Sequence, residues 1–286
     1  MSFAPLALVN AGLFTVQLYV NYAMSRSIGP MSRKHETLIT PAPYAFSIWG
    51  LIYTLLTILV VVDVFYPSIS LFAGSPKPGM LRLIFAASCV GNMTWIVLFS
   101  NEQIHLSTFV ITLLWGTLFT LYVYMISDRN KHELSYARYF CCELGLTIYF
   151  AWTCAATLIS FAVSMQQIAD DYLSLTVYII LLSVLGVATI SAVVFNNDVA
   201  FGLVAMWALI AVSVKSFPWE RAAIERMHEN IRVCAAQNAA MVAAFIAITL
   251  LVRLLARFSN NYEALDRAPP VVNGKSDTAR IYYGST

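Results

Sequence analysis

The stretch TPAPYAFSIWGLIYTLL, Thr40–Leu56, places two prolines and several aromatic rings at the start of a long apolar run. Phe46, Trp49 and Tyr53 follow the i, i+3, i+7 spacing of residues on one face of a helix. Side chains that only contact lipid need no such pattern. The rings therefore indicate a surface that contacts something flat, either a neighbouring helix or a planar ligand.

The composition predicts an integral membrane protein. Of the 286 residues, 59% are hydrophobic and only 11% are charged, whereas soluble domains have roughly 45–50% apolar and about 25% charged residues. The net charge of +2 gives no reason to expect nucleic acid as a partner. The partners we expect are the lipid bilayer and a small lipophilic ligand, with a homodimer as an open option.

Eight apolar runs predict the fold class, an all-α, polytopic transmembrane helical bundle. A spanning helix needs about 20 apolar residues, and the runs lack the alternation that spanning strands would show. Their approximate bounds are 5–25, 44–66, 80–100, 106–127, 141–164, 174–195, 199–216 and 233–256.

The segments outside these runs are shorter and more polar. Residues 217–232 are predicted to form an amphipathic helix that leads into the last span, because apolar and charged residues lie on opposite faces. The polar tail 258–286 is predicted to be disordered.

Two further clusters support a binding surface. In the third run, Asn92 and Trp95 share a face, and a buried asparagine in hydrocarbon must find a partner. In the fifth run, large rings alternate with small residues, a pattern that leaves concave space but also suits plain helix packing. The residues on that face are Tyr149, Trp152, Ala156 and Ser160.

These motifs together resemble the translocator protein / tryptophan-rich sensory protein family (TspO/MBR). That family has a proline-rich first loop and an aromatic start to its second helix, an Asn-x-x-Trp element in its third helix, and a Tyr-x-x-Trp element in its fifth. This chain carries Tyr44 where the family usually has its first tryptophan, Ile148 in place of a proline, and Ser160 in place of an asparagine. The first five runs resemble the family's five-helix bundle. The resemblance therefore implies a five-helix membrane core at 1–165, with three additional transmembrane helices at 166–257.

The resemblance implies a ligand cavity, since family members bind porphyrins and, in some cases, sterols or synthetic ligands. We therefore expect a tetrapyrrole or sterol-like molecule as ligand, for transport or sensing, and no resident cofactor. The residues that the resemblance assigns to the ligand site are Pro43, Tyr44, Phe46, Trp49, Tyr53, Asn92, Trp95, Tyr149, Trp152 and Ala156.

The ionisable residues give no pattern typical of an enzyme. No phosphate-binding loop, zinc-protease motif or nucleophile elbow is present in the sequence. All four histidines, at positions 35, 105, 132 and 228, lie in predicted loops, where solvated histidines are commoner than metal ligands. We expect neither catalysis nor a metal site. The alternative functions are secondary transport of a small molecule and a structural role without a ligand.

Overall fold

The computed structural model describes residues 5–129, 135–216 and 221–266, and all of their regular secondary structure is helical. Seven of these helices are long and apolar enough to cross a membrane by length and composition. The predicted polytopic helical bundle is therefore confirmed.

Eight main helices follow one another along the described residues. A 3₁₀ turn, Pro43–Ser47, precedes the second helix, and a short turn with a π-helical segment, Tyr139–Glu143, precedes the fifth. Among the described residues, those up to Ala247 form one compact unit and residues 248–266 form another. The helices are α1 (Pro5–Lys34), α2 (Ile48–Phe65), α3 (Pro78–Ser100), α4 (Ile104–Arg129), α5 (Leu144–Ala169), α6 (Leu175–Asn196), α7 (Val199–Ser213) and α8 (Ala222–Asp266).

The seventh apolar run differs from its expected length. Helix α7 has 15 residues, which is about 22 Å at 1.5 Å per residue, short of the ~30 Å of hydrocarbon. The helix begins at a buried cap, where the Asp198 carboxylate accepts a hydrogen bond from the Phe201 amide at 3.2 Å. The Tyr122 hydroxyl donates to the same carboxylate at 3.2 Å. Helix α7 is therefore anchored inside the protein at its first residue.

The segment predicted as an interfacial helix is described only in part. Residues 217–220 lie outside the described part of the chain, and from Ala222 the segment is continuous with the last apolar run in α8. The part of the predicted disordered tail beyond Asp266 also lies outside the described residues.

A buried ion pair joins α2 to α3. The Arg82 guanidinium donates to both carboxylate oxygens of Asp63 at 2.8 Å, and the Ser70 hydroxyl donates to the same carboxylate at 2.5 Å. Both charged side chains are buried. Because a buried charge is stable only when it is paired and hydrogen-bonded, these contacts fix the approach of the two helices.

Helices α2 and α5 approach each other closely at Gly145. A Cβ atom added there would lie 3.0 Å from the Leu55 Cβ and 3.2 Å from the Leu55 carbonyl carbon. Small residues at such crossings allow backbones to come together in a membrane, where packing rather than the hydrophobic effect drives association. This crossing brings the aromatic face of α2 against α5.

We predict that Gly145→Val destabilises the protein, since a branched side chain must push against the α2 backbone, and overpacking typically costs about 1–3 kcal/mol. Gly116→Val in α4 is the matched control, because a Cβ there meets nothing within 4 Å. Thermal unfolding in detergent measures the difference. Equal melting temperatures for the two variants would contradict the close α2–α5 crossing.

Candidate functional site

The Trp49 indole lies at the centre of a ring cluster that joins α2, α3 and α5. It is stacked on Tyr53 with ring centroids 5.6 Å apart and on Trp95 with centroids 5.9 Å apart. It meets Tyr149 at 6.0 Å and Trp152 at 6.4 Å in edge-on arrangements. These are the separations at which aromatic pairs attract one another. The structure thus brings together five of the ten residues assigned to the site.

Phe46 extends this cluster, and Tyr44 does not. The Phe46 ring packs edge-on against Trp152 with centroids 6.0 Å apart. Tyr44 instead packs edge-on against Trp207 of α7 at 4.9 Å, and its side chain is 42% exposed. Tyr44 therefore lies outside the ring cluster and does not line either of the voids beside it. Its place in the 3₁₀ turn directs the ring away from the α2 face, and the adjacent Pro43 is exposed and contributes no cavity wall.

Two neighbouring voids border the cluster, and together we call them the aromatic cavity. The large void has a volume of about 380 Å³ and the small void about 50 Å³. Both are lined by Phe46, Trp49, Trp95 and Ile28, so they meet at the same rings. The large void is also lined by Leu18, Asn21, Tyr22, Ser25, Gly50, Tyr53 and Ile96. The small void is also lined by Ser32, His35, Thr40, Phe99, Trp152, Ala156, Ile159, Ser160 and Val163.

The large void is bordered by exposed residues of α1 and α2. The Tyr22 side chain is 78% exposed, and Gly50 across the void is also exposed. In a bilayer, a side chain exposed at the middle of α1 faces lipid. The large void therefore has a lateral opening between α1 and α2.

A chain of polar side chains lies behind the rings. The Tyr53 hydroxyl donates to the Asn21 Oδ1 at 2.7 Å, and the Asn21 Nδ2 donates to the Asn92 Oδ1 at 2.8 Å. The Gln17 and Asn92 amides lie beside the Tyr149 hydroxyl. Asn92 and Tyr149 are almost fully buried and border neither void, so they support the Trp49 face from behind.

Several buried polar atoms of this region have no hydrogen-bond partner among the described residues. They include both amide atoms of Gln17, the Asn92 Nδ2 and the Tyr149 hydroxyl. The indole nitrogens of Trp95 and Trp152, whose rings line the small void, also lack partners. An unpaired buried polar group costs about 1–3 kcal/mol. Most of these atoms are hydrogen-bond donors, and each is enclosed by neighbouring protein atoms.

His35 differs from the expected solvated histidine. Its side chain is partly buried, it lines the small void, and its Nε2 atom has no partner among the described residues. Burial lowers the pKa of His35 below its ordinary value of 6.5, against the smaller opposing effect of the Glu102 charge. The imidazole is therefore neutral at pH 7.

The expectation of a solvated histidine is also wrong for His228, which is buried within α8. His105 is exposed, and its Nδ1 is hydrogen-bonded to the Ser164 hydroxyl at 2.7 Å. His132 lies outside the described residues. Within the described part of the chain, no group of three potential metal-binding side chains occurs.

The segment between α1 and α2 is buried and is attached to α5 and α7. The Gln166 amide of α5 donates to the Glu36 carbonyl at 3.0 Å, and the Ala42 amide donates to the Ala211 carbonyl of α7 at 2.9 Å. The Glu36 carboxylate also forms an ion pair with Lys215. This segment forms part of the small void, so these contacts hold that wall in place.

The contribution of α1 to the ring cluster was not predicted from the sequence. Gln17 and Asn21 supply the buried amides beside the ring cluster, and Asn21 also lines the large void. The signal was present in the first apolar run, where Asn10, Gln17 and Asn21 recur at intervals of seven and four. That spacing puts polar side chains on one helix face, and polar groups in a membrane helix face the protein interior.

Comparison with known proteins identifies the family of this chain. The family model described as "TSPO-like protein" matches residues 6–256, a region that includes α6, α7 and most of α8 as well as the first five helices. Neither the curated proteins nor the solved structures gave a significant match.

The family match and the seven long apolar helices show an integral, multi-pass membrane protein. The match extends over most of the 286 residues, and the chain belongs to the TSPO-like protein family.

Proposed function

We propose that the protein binds a lipophilic, planar ligand, of tetrapyrrole or sterol-like shape, in the aromatic cavity, for transport or sensing. The observation that carries the proposal is the position of Trp49, which lines both voids and contacts four other rings. A flat molecule in the large void would lie against this indole. Sites for small molecules are typically about 300–1,000 Å³ and mostly apolar with a few polar groups, and the large void fits that description.

The lining of the aromatic cavity favours an uncharged group inside it. The lining of the two voids contains no Lys, Arg, Asp or Glu, and a charge without a partner is costly at membrane depth. A ligand with carboxylates, such as a porphyrin with its side-chain acids, would therefore hold its neutral ring inside and its acids outside the two voids, in contact with water or lipid headgroups.

The TSPO-like family is generally non-enzymatic, and we propose that this member binds its ligand without altering it. Stacking requires only aromatic faces, whereas iron ligation would require an oriented histidine, cysteine, methionine or tyrosine. His35 lines the small void, but nothing among the described residues holds its Nε2 in one orientation. We therefore expect a porphyrin to be held by its ring faces.

We predict that Trp49→Ala weakens the binding of metal-free protoporphyrin at least tenfold. The variant loses the surface shared by both voids, and one aromatic contact contributes about 0.5–1.5 kcal/mol beyond burial, where about 1.4 kcal/mol corresponds to a factor of ten. Trp49→Phe retains a ring and should lose less. Titration of the porphyrin against the detergent-solubilised full chain measures the affinity.

Phe109→Ala is the control, because this α4 side chain is 61% exposed and borders neither void. The porphyrin affinity of Phe109→Ala should equal that of the unmodified protein. If Trp49→Ala melts at an unchanged temperature and still binds porphyrin as tightly as Phe109→Ala does, the aromatic cavity is not the binding site.

We predict that His35→Ala changes the affinities for metal-free and iron protoporphyrin by the same factor. Removing the imidazole alters the small void for both molecules alike if only ring faces are bound. Parallel titrations, with the iron spectrum recorded, compare the two. A selective loss of iron-porphyrin binding, together with a shift in the iron spectrum, would show that His35 ligates the metal.

We further propose that residues 1–165 form the ligand-binding core and that 166–257 support it. All residues that line the two voids lie within the first 163 positions. Helix α7 nevertheless touches the segment before α2, since the Trp207 indole donates to the Ala45 carbonyl at 3.1 Å.

We predict that Trp207→Phe lowers stability by about 1 kcal/mol, the usual net value of one hydrogen bond, and leaves porphyrin affinity within about twofold of the unmodified protein. The phenyl ring preserves the contact with Tyr44 but has no donor for the Ala45 carbonyl. Thermal unfolding and porphyrin titration of one preparation test both parts. A large loss of affinity without a loss of stability would place α7 inside the binding site.

A further inference from the structure

A larger cleft lies between α4, α5, α6 and α7, apart from the aromatic cavity. Its volume is about 580 Å³, and it shares no lining residue with either void of that cavity. Phe119 of α4 and Phe195 of α6, which line the cleft, are 45% and 79% exposed. In a bilayer, the cleft therefore opens on lipid.

Five aromatic rings from three helices line the cleft and contact one another, and we call them the ring wall. Trp115 and Phe119 of α4 are stacked with centroids 5.3 Å apart and 9° between their planes. Phe150 of α5 packs against both, with centroids 6.3 Å and 6.0 Å away. Tyr122 of α4 and Phe201 of α7 lie 4.9 Å and 5.7 Å from Phe150. Because the face of an aromatic ring carries partial negative charge, such a wall attracts cations.

The hydrogen-bond donors of the ring wall are already engaged. The Trp115 indole N–H donates to the Cys154 Sγ at 3.3 Å, and the Tyr122 hydroxyl donates to the Asp198 carboxylate at 3.2 Å. The wall therefore presents ring faces without a free donor. A cation needs only those faces, whereas an occupant that brings acceptors gains no hydrogen bond from them.

A buried carboxylate lies directly behind the ring wall. Asp198 is 1% exposed, and its Oδ2 accepts hydrogen bonds from the Tyr122 and Thr147 hydroxyls at 3.2 Å and 3.3 Å. Its Oδ1 accepts from the Phe201 amide. All three donors are neutral, and Asp198 has no ion pair among the described residues. A cation on the other side of the rings would offset the cost of this buried negative charge.

The arginines near this end of α4 and α5 are paired with other carboxylates. Arg129 forms an ion pair with Glu143 at 2.9 Å, and Arg138 forms ion pairs with Glu143 and Asp128. Burial raises the pKa of Asp198 above its ordinary value of 3.8, and the charge of Arg129 opposes this with a smaller effect. A further positive charge near Asp198 would favour its ionised form.

The rest of the cleft suits the apolar part of an amphiphile. Its lining includes no Lys, Arg, Asp, Glu or His. Leu158 and Phe161 line the cleft about two and three turns along α5 from Phe150, and Val184 of α6 lines it as well. The cleft thus combines a ring wall, backed by a carboxylate, with an apolar extension that is open to lipid.

We propose that this cleft binds a lipophilic organic cation, in which an ammonium head is joined to an apolar body. The head lies against the ring wall, on the opposite side of the rings from the Asp198 carboxylate, and the body extends along Leu158 and Phe161. This ligand class differs from the planar ligand of the aromatic cavity, and the proposal does not rest on a ligand there.

The test uses the full chain in a neutral maltoside detergent and two photoreactive probes of equal shape. One probe is an alkyltrimethylammonium ion with a diazirine in its chain, and the other is its neutral isostere, in which carbon replaces the nitrogen. After irradiation, labelled peptides are identified by mass spectrometry over a range of probe concentrations. We expect saturable labelling of the α4, α5 and α6 segments by the ammonium probe, with an affinity at least tenfold higher than that of the isostere.

A pair of exposed phenylalanines of α4 tests the ring wall. Phe119→Leu removes one ring face but keeps an apolar side chain, so it should weaken the ammonium probe about three- to tenfold and leave the isostere unchanged. Phe109→Leu is the matched control, because Phe109 is also exposed but does not line the cleft. The affinity of this control for both probes should equal that of the unmodified protein.

The contribution of the carboxylate is tested by substitution and by pH. Asp198→Asn keeps the shape of the side chain but removes its charge, so it should weaken the ammonium probe at least tenfold and the isostere not at all. In the unmodified protein, the affinity for the ammonium probe should fall as the pH is lowered, because a protonated Asp198 carries no charge. The probe itself cannot titrate, and the pH series keeps the test decisive if Asp198→Asn does not fold.

Four results would overturn the proposal. Equal affinities for the two probes would show that the cleft is only an apolar groove. Labelling that does not saturate, or that lies on other helices, would show that the ammonium probe has no site in the cleft. Equal affinities of Phe119→Leu and Phe109→Leu for the ammonium probe would exclude the ring wall. An ammonium affinity that neither Asp198→Asn nor pH changes would exclude the carboxylate.

Discussion

The packing of the Trp49 indole against rings from three helices is the contact on which the rest of the site depends. Inside a bilayer, apolar side chains gain little by leaving lipid, so helices associate through close packing and specific polar contacts. The α2–α5 crossing at Gly145 makes the ring contacts possible, because it brings the two backbones within reach of each other. The Asp63–Arg82 pair does the same for α2 and α3. Trp49 then lies where the faces of all three helices meet.

Polar groups behind the rings give this arrangement its specificity. Asn21 links Tyr53 of α2 to Asn92 of α3, so α1 is part of the same network. A network that is only partly satisfied is costly in a low-dielectric interior. The Gln17 amide and the Tyr149 hydroxyl have no hydrogen-bond partner among the described residues and border neither void, so a molecule in the aromatic cavity would not complete this network.

The sequence predicted the parts of this structure that depend on local pattern. The apolar runs identified the helices because length and composition decide whether a segment can cross a bilayer. The i, i+3, i+7 spacing of Phe46, Trp49 and Tyr53 identified one face of α2 for the same local reason. The contact of Tyr44 with Trp207 could not be predicted, because Trp207 lies far along the chain and no local pattern links the two residues. The burial of His35 also arises from tertiary packing, through which a segment that reads as a polar loop becomes an interior wall.

The most direct test of whether a planar molecule binds against Trp49 is an experimental structure of the full chain with metal-free protoporphyrin, determined in nanodiscs beside a porphyrin-free sample. We expect planar density in the large void, parallel to the Trp49 indole, with the acids of the porphyrin outside the void. Porphyrin density at any other place, or an aromatic cavity that is the same in both samples at saturating porphyrin, would contradict this expectation.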